Sequence, residues 1–304
     1  MFELAAQSIV SAPAIVMSKA KHLATRCFGG LSPSMRRQLP GAGLAALLGV
    51  ITLLVPLLPA QVAAGAEAAP PSAGPIGRLD DLKWKARHEA KLLEASSRRV
   101  HLVLLGDSIT ANYELKGPGR LRDYSGVWQR YYADRDALNL GFSGDGTRDL
   151  LWRIMHGEID SIAPKVVVIL IGANDIGWLQ LTAADTVAGI DAVVAELHLR
   201  LPATKILLVG LLPSDRGTWV RQATAEINSS LAAHYGSGQV HYVTYRDVSP
   251  AFLKNGVLDT SLFSDPQQIP SEPALHPSPE GQERMAAALE PTLSELLADA
   301  RRDR

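Results

Sequence analysis

The chain has a single cysteine, Cys27, in 304 residues. No disulfide can form within it, and no cysteine-based metal site can be built. It also lacks an excess of charge of either sign, with a formal net charge of −1. No basic stripe interleaved with aromatics runs through it, so nucleic-acid binding has no electrostatic support. H-E-x-x-H and other dense clusters of histidine and carboxylate are missing, so neither a metal nor an organic cofactor is implied. The G-x-S-x-G pattern of a nucleophile elbow is missing too. Internal repeats and long low-complexity tracts are absent.

What is present divides unevenly. Residues 1–66 carry Lys19, Lys21, Arg26, Arg36 and Arg37 against Glu3 alone. That leaves 25 basic and 30 acidic residues after Ala66, a net of −5. Leu44–Leu58, LAALLGVITLLVPLL, follows Arg36-Arg37 and precedes Ala64-Gly65-Ala66. A basic flank, an apolar middle and a small-x-small end are the parts of a secretory signal. The stretch is short for a membrane span, and Pro56 and Pro59 break its end. The expectation is a signal peptide cleaved near Ala66 and a periplasmic or secreted product. The alternative is an uncleaved anchor in the inner membrane facing the periplasm. Met35 offers a start with the usual proportions of a signal peptide. Cys27 precedes the apolar run, so cleavage leaves a protein without thiols, which suits an oxidising compartment. Residues 67–79, which include the proline- and alanine-rich EAAPPSAGPIG, read as a flexible linker. A single domain is expected over 80–304.

Within it, Leu82, Ala86, Ala90 and Leu93 recur at helical spacing and predict an amphipathic helix over 80–97. Short apolar runs bounded by glycine or turns predict buried parallel strands at 100–105, 137–140, 165–171, 205–211 and 240–245. Helices are predicted between them at 147–155, 183–199 and 218–235, the second capped by Thr182 with Asp185 three residues on. A last helix starts at Ser278-Pro279, and Pro291 is expected to kink or split it. Alternating strands and helices imply a parallel sheet covered on both faces, with ligands bound beyond the carboxyl ends of its strands.

Chemistry-bearing residues gather at those ends. The first strand runs into Gly106-Asp107-Ser108, where a serine can be a nucleophile near helical N–H groups or simply a helix N-cap. The second runs into Gly141-Phe142-Ser143-Gly144-Asp145-Gly146, free backbone donors or a tight turn. A phosphate cradle there would lack the P-loop lysine. The third ends in Gly172-Ala173-Asn174-Asp175, an oxyanion donor or a turn asparagine. His276, one of eight histidines, falls between the last strand and the last helix.

In that order and placement, Ser108, Gly144, Asn174 and His276 resemble the four blocks of the SGNH/GDSL hydrolase superfamily. NLGFSGDGTRDLLWRI is similar to the second block of the catalytic subunits of platelet-activating-factor acetylhydrolase and their bacterial relatives. The resemblance covers about residues 80–300. It implies a three-layer α/β/α sandwich on a flavodoxin-like parallel sheet. It also implies a serine esterase acting on short-chain esters, acetyl above all. Ser108 would be the nucleophile and His276 its base. The oxyanion hole would be the Ser108 and Gly144 N–H groups with the Asn174 side chain. Asp107 and Asp175 would be structural, and Arg148, Trp152 and Arg153 helix-packing residues.

One departure stands out. The family's aspartate three residues before the histidine is Pro273 here. Glu272 or Asp265 could substitute, a backbone carbonyl could orient His276 in a dyad, or the site could be degenerate. Small acyl esters and O-acetylated glycans both suit an exported esterase. Acyl transfer to an extracellular polysaccharide through the same serine is a rival reading, and a non-catalytic binding component another. Nothing in the residues reads out the oligomeric state.

Overall fold

Residues 74–119, 121–237 and 240–299 are described by a computed structural model. The proposed signal and its flanks lie outside the described residues. The elements in chain order are α1 (Leu82–Ser97), β1 (Leu102–Gly106), α2 (Ser108–Ala111), α3 (Ser125–Tyr131), β2 (Ala137–Gly141), α4 (Thr147–Met155) and β3 (Val166–Leu170). There follow α5 (Ala173–Gly177), α6 (Ala183–Arg200), β4 (Lys205–Val209), α7 (Thr218–Tyr235), β5 (Val240–Val243) and α8 (Tyr245–Val248). A small hairpin, β6 (Leu253–Lys254) and β7 (Val257–Leu258), precedes α9 (Ser264–Gln268) and the final α10 (Pro279–Asp299).

The five long strands are all parallel and lie in the order β2-β1-β3-β4-β5. This is the flavodoxin-like order, whose reversal falls between β1 and β3. Gly106 pairs with both Gly141 and Leu170, so the first three strands end flush along one edge. The loops that carry Ser108 and Asn174 therefore leave the sheet on either side of the switch point, where a crevice must open.

Alternation along each strand sends successive side chains to opposite faces. Val103, Leu105, Val167 and Ile169 join one core with Leu150, Ile190, Val194 and Ile227 of α4, α6 and α7. Leu102, Leu104, Val166 and Val168 join the other with Val127 of α3 and Met285, Leu289 and Leu293 of α10. The result is a three-layer α/β/α sandwich.

Three details differ from the sequence reading. Helix α1 forms, but Leu82 and Leu93 are 77% and 70% exposed, and the buried face is Trp84, His88, Lys91 and Ala95. It docks through an indole and polar groups rather than through its leucines. Helix α10 is continuous through Pro291. The proline and Ala287, whose carbonyl it leaves unpaired, are both on the exposed side, where water can satisfy that carbonyl. Finally, the expected linker is bound from Gly74 onward. The Ile76 N–H donates to the Arg148 carbonyl at 3.1 Å, and Arg148 Nε donates to the Gly74 carbonyl at 3.3 Å.

Candidate active site

Ser108 opens α2 directly after β1. Asp107 caps that turn, with its Oδ1 accepting from the Ile109 N–H at 2.8 Å. Burial pushes the Asp107 carboxyl up to about 6, against the pull of the Ile109 N–H and of nearby His276 and Arg216. Gln282 of α10 reaches under the turn, and its Nε2 donates to the Ile109 carbonyl at 2.6 Å. The helix after the histidine is thus tied to the helix that carries the serine.

The imidazole of His276 stands against Ser108, with Nε2 2.9 Å from the serine Oγ. Its Nδ1 lies 2.7 Å from Asp265 Oδ1. Of the two candidate acids, Asp265 is therefore the one at the histidine. Glu272 is exposed, as is Pro273. Asp265 Oδ2 also accepts the backbone N–H groups of Leu275 and His276, at 2.9 and 2.6 Å. Burial would raise this carboxyl, but the hydrogen bonds from His276 outweigh it and hold it below the usual aspartate range. It stays ionised well below neutral pH. A carboxylate at Nδ1 fixes the tautomer that leaves Nε2 free to accept the serine proton.

Local pairing explains how an acid eleven residues upstream reaches the ring. Phe263 and Pro277 form an antiparallel bridge. The Ser264 N–H donates to the His276 carbonyl and the Ser278 N–H to the Leu262 carbonyl, each at 2.8 Å. Buried Tyr124 holds both strands of this pair, its hydroxyl 3.0 Å from Ser264 Oγ and from the Pro277 carbonyl. The proline-rich residues 266–274 loop out between the two segments.

The loop after β2 approaches from the other side. Gly144 has φ +82, a left-handed conformation that favours glycine. Asn174 Nδ2 donates to the Asp145 carbonyl at 2.8 Å, which fixes the amide's orientation and leaves its second hydrogen for another acceptor. Asp175 reaches beyond its own loop. Its carboxylate accepts Thr147 N–H and Oγ1, so it caps α4 and locks the β3 loop to the β2 loop.

Beneath Gly144 lies a buried polar network that the sequence does not betray. Asp145 Oδ2 accepts from Arg153 Nε at 2.8 Å, and Oδ1 from Trp84 Nε1 at 2.7 Å and Arg78 Nη1 at 3.2 Å. Arg153 also pairs with Glu158 and lies 3.9 Å over the Phe142 ring. The sequence pattern marks Arg153 for helix packing. Its full burial makes it the counter-ion that lets two acids sit under the loop. Arg78 falls in the expected linker, yet it donates to the Ser143 carbonyl at 3.0 Å and braces the same loop.

A serine, an imidazole and a carboxylate in one hydrogen-bonded line, beside a left-handed glycine and an oriented asparagine amide, are the parts of an acyl-transfer centre. Residues 104–284, more than half of the chain, match the GDSL-like lipase/acylhydrolase family. The chain belongs to that family. It is 32% identical over 152 residues to platelet-activating factor acetylhydrolase IB subunit alpha2 of Rattus norvegicus, covering 50% of this chain and 61% of that one. The chain thus spans under two thirds of the length of that curated relative. Among solved structures, it resembles a GDSL-like lipase from Bacteroides thetaiotaomicron, with TM-score 0.54 and 16% identity over 69% of this chain and 98% of the other. A carbohydrate esterase family 3 protein from Talaromyces cellulolyticus gives TM-score 0.50 and 18% identity over 66% and 99%. These two likenesses are of fold.

Proposed function

We propose that the protein is an exported serine esterase that hydrolyses short-chain esters, chiefly acetyl, through an acyl-Ser108 intermediate. The observation that carries this reading is the line Ser108 Oγ, His276 Nε2 and Nδ1, Asp265 Oδ1, with links of 2.9 and 2.7 Å.

In this reading Ser108 Oγ attacks the ester carbonyl while His276 Nε2 takes its proton. The carbonyl oxygen becomes an anion, which accepts from the N–H groups of Ser108 and Gly144 and from Asn174 Nδ2. Collapse expels the alcohol, which takes the proton back from Nε2. Water then repeats the sequence on the acyl-serine, and Asp265 stabilises the imidazolium in both halves. Asn174→Ala is expected to lower turnover on p-nitrophenyl acetate by roughly 10²–10³. A rate within a few fold of wild type would take Asn174 out of the oxyanion hole.

The preference for short acyl groups is supported by the 32% identity to a platelet-activating factor acetylhydrolase subunit. A groove of about 670 Å³ runs between α7 and the β6–β7 hairpin, but Ser108, Gly144, Asn174 and His276 are not among its walls. The test is a series of p-nitrophenyl esters of increasing acyl length. Acetate and propionate should be cleaved best, and a maximum at eight carbons or more would overturn the acetyl reading.

Pro273 suggests a degenerate, binding-only protein, whereas Asp265 at the imidazole supports the catalytic reading. Export rests on the N-terminal pattern. Expressed in a bacterial host, the protein is expected outside the cytoplasm with a new N-terminus near Glu67. N-terminal sequencing that found the apolar segment intact on a membrane-free cytoplasmic species would refute it.

A further inference from the structure

The chain has five tryptophans. Trp84 is buried, Trp128 and Trp152 are partly buried, and Trp178 and Trp219 are 81% and 48% exposed. The two exposed ones follow adjacent strands at the catalytic edge of the sheet, Trp178 at the end of α5 after β3 and Trp219 in the first turn of α7 after β4. Arg216 ties the segments after those strands together. Its Nη1 donates to the Ala173 carbonyl at 3.0 Å, and Nε lies 3.4 Å from Ser214 Oγ. The guanidinium lies so close against Gly177 that a Cβ there would collide with it. Among the described residues Arg216 forms no ion pair, and its Nη2 has no hydrogen-bond partner. Together with Asp107, Ala173 and Leu275, it borders a small cavity walled by chain neighbours of Ser108 and His276.

Trp178 is placed by the same turn that places Asn174. It lies four residues on, remains in the right-handed region at φ −106 and ψ −49, and its N–H donates to the Asn174 carbonyl at 2.9 Å. Residues i and i+4 share a helix face, so positions 174 and 178 lie on the same side of this turn. Leu179, which follows it, is 41% exposed and has its Cδ1 3.0 Å from where a Cβ on Gly146 would stand. Trp178 follows directly on the glycine against which the Arg216 guanidinium packs, and that guanidinium keeps a free donor edge.

We propose that Trp178 and Arg216 form a sugar-binding subsite beside Ser108, so that the natural substrate is an O-acetylated pyranose glycan. This rests on the esterase reading above. The indole stacks on the apolar C–H face of one sugar ring, and Arg216 Nη2 donates to its hydroxyl or ring oxygens. The acetyl group on that ring then falls at the serine. A sugar suits the pair because it presents an apolar face ringed by acceptors. The residues after Ala66 are net acidic at −5, which disfavours anionic bilayers.

The experiment compares O-acetylated xylo-oligosaccharides, p-nitrophenyl acetate and a tributyrin emulsion as substrates for wild type, Trp178→Ala, Trp178→Phe and Arg216→Gln. In Trp178→Ala, the ratio of kcat/KM on the oligosaccharide to that on p-nitrophenyl acetate should fall about tenfold or more, chiefly through KM. Trp178→Phe should restore most of it, and Arg216→Gln should lower it in the same direction. With Ser108→Ala as a non-turnover form, the oligosaccharide should quench tryptophan fluorescence, and adding Trp178→Ala should remove the quench. A ratio within twofold of wild type overturns the proposal. So does a loss confined to the tributyrin emulsion, which would make Trp178 a lipid contact. Wild type that cleaves p-nitrophenyl acetate but releases no acetate from the oligosaccharides overturns the subsite while leaving the esterase standing. Wild type inert towards all three removes the esterase reading, and the subsite with it.

Discussion

Ser108→Ala is expected to abolish ester hydrolysis, with turnover on p-nitrophenyl acetate falling by roughly 10⁴–10⁶. The change removes one oxygen whose hydrogen bond is to His276 Nε2. It leaves Asp107 on the Ile109 N–H, and Gln282 on the Ile109 carbonyl, so the turn itself keeps its supports. The melting temperature should therefore move by no more than about 2 °C, as for a surface substitution of small free energy. A fluorophosphonate probe should label wild type at Ser108 and leave the variant unlabelled. Retained turnover in a folded variant would mean that another group attacks the ester, and the whole assignment of roles would have to be rebuilt.

The parts of the site that short-range pattern can encode are legible in the sequence. Ser108, Gly144 and Asn174 each follow a buried apolar run by a few residues, and strands of that kind end at one edge of a parallel sheet. Helix boundaries are legible for the same reason: Thr182 accepts from the Asp185 N–H as a capping box requires. What stays hidden depends on pairing across long separations. Arg153, Asp145 and Glu158 are charged, and charged residues are ordinarily assigned to the surface. Their burial follows only once α1 brings Trp84 onto the Asp145 carboxylate. Helix α1 misleads for a related reason. Its leucines have the right period, but the face that docks is chosen by that polar network, not by hydrophobicity. Arg216 gives no signal either, since a bond to the Ala173 carbonyl across two loops has no local spacing to betray it. Asp265 is within view as one of two acids. Choosing it requires the bridge between Phe263 and Pro277, which brings residues eleven apart side by side.

Asp265→Asn is expected to lower turnover by about 10⁴, while Glu272→Gln leaves it within a few fold. The asparagine keeps the shape of the carboxylate, and its carbonyl oxygen can still accept from the Leu275 or His276 N–H that Asp265 Oδ2 now holds. At His276 Nδ1, however, it cannot both accept the ring proton and keep those backbone bonds. An amide nitrogen turned towards Nδ1 favours the tautomer with its proton on Nε2, which cannot take the serine proton. The imidazolium also loses its counter-ion. The carboxylate has a depressed pKa in the folded protein, so it stabilises the fold above the unfolded aspartate value and loses that contribution as pH falls through the folded value. Asp265→Asn should therefore flatten the acid side of the stability profile, measured as melting temperature while pH falls from about 5 to about 2, whereas Glu272→Gln should not. Pro273→Asp separates the geometry from the family pattern. Position 273 is exposed and Nδ1 is already occupied, so a carboxylate there should add nothing in the wild-type background and should not rescue Asp265→Asn. Full activity in Asp265→Asn, or its restoration by Pro273→Asp, would show that the looped-out segment closes differently in the working enzyme and that Asp265 is not the residue that orients His276.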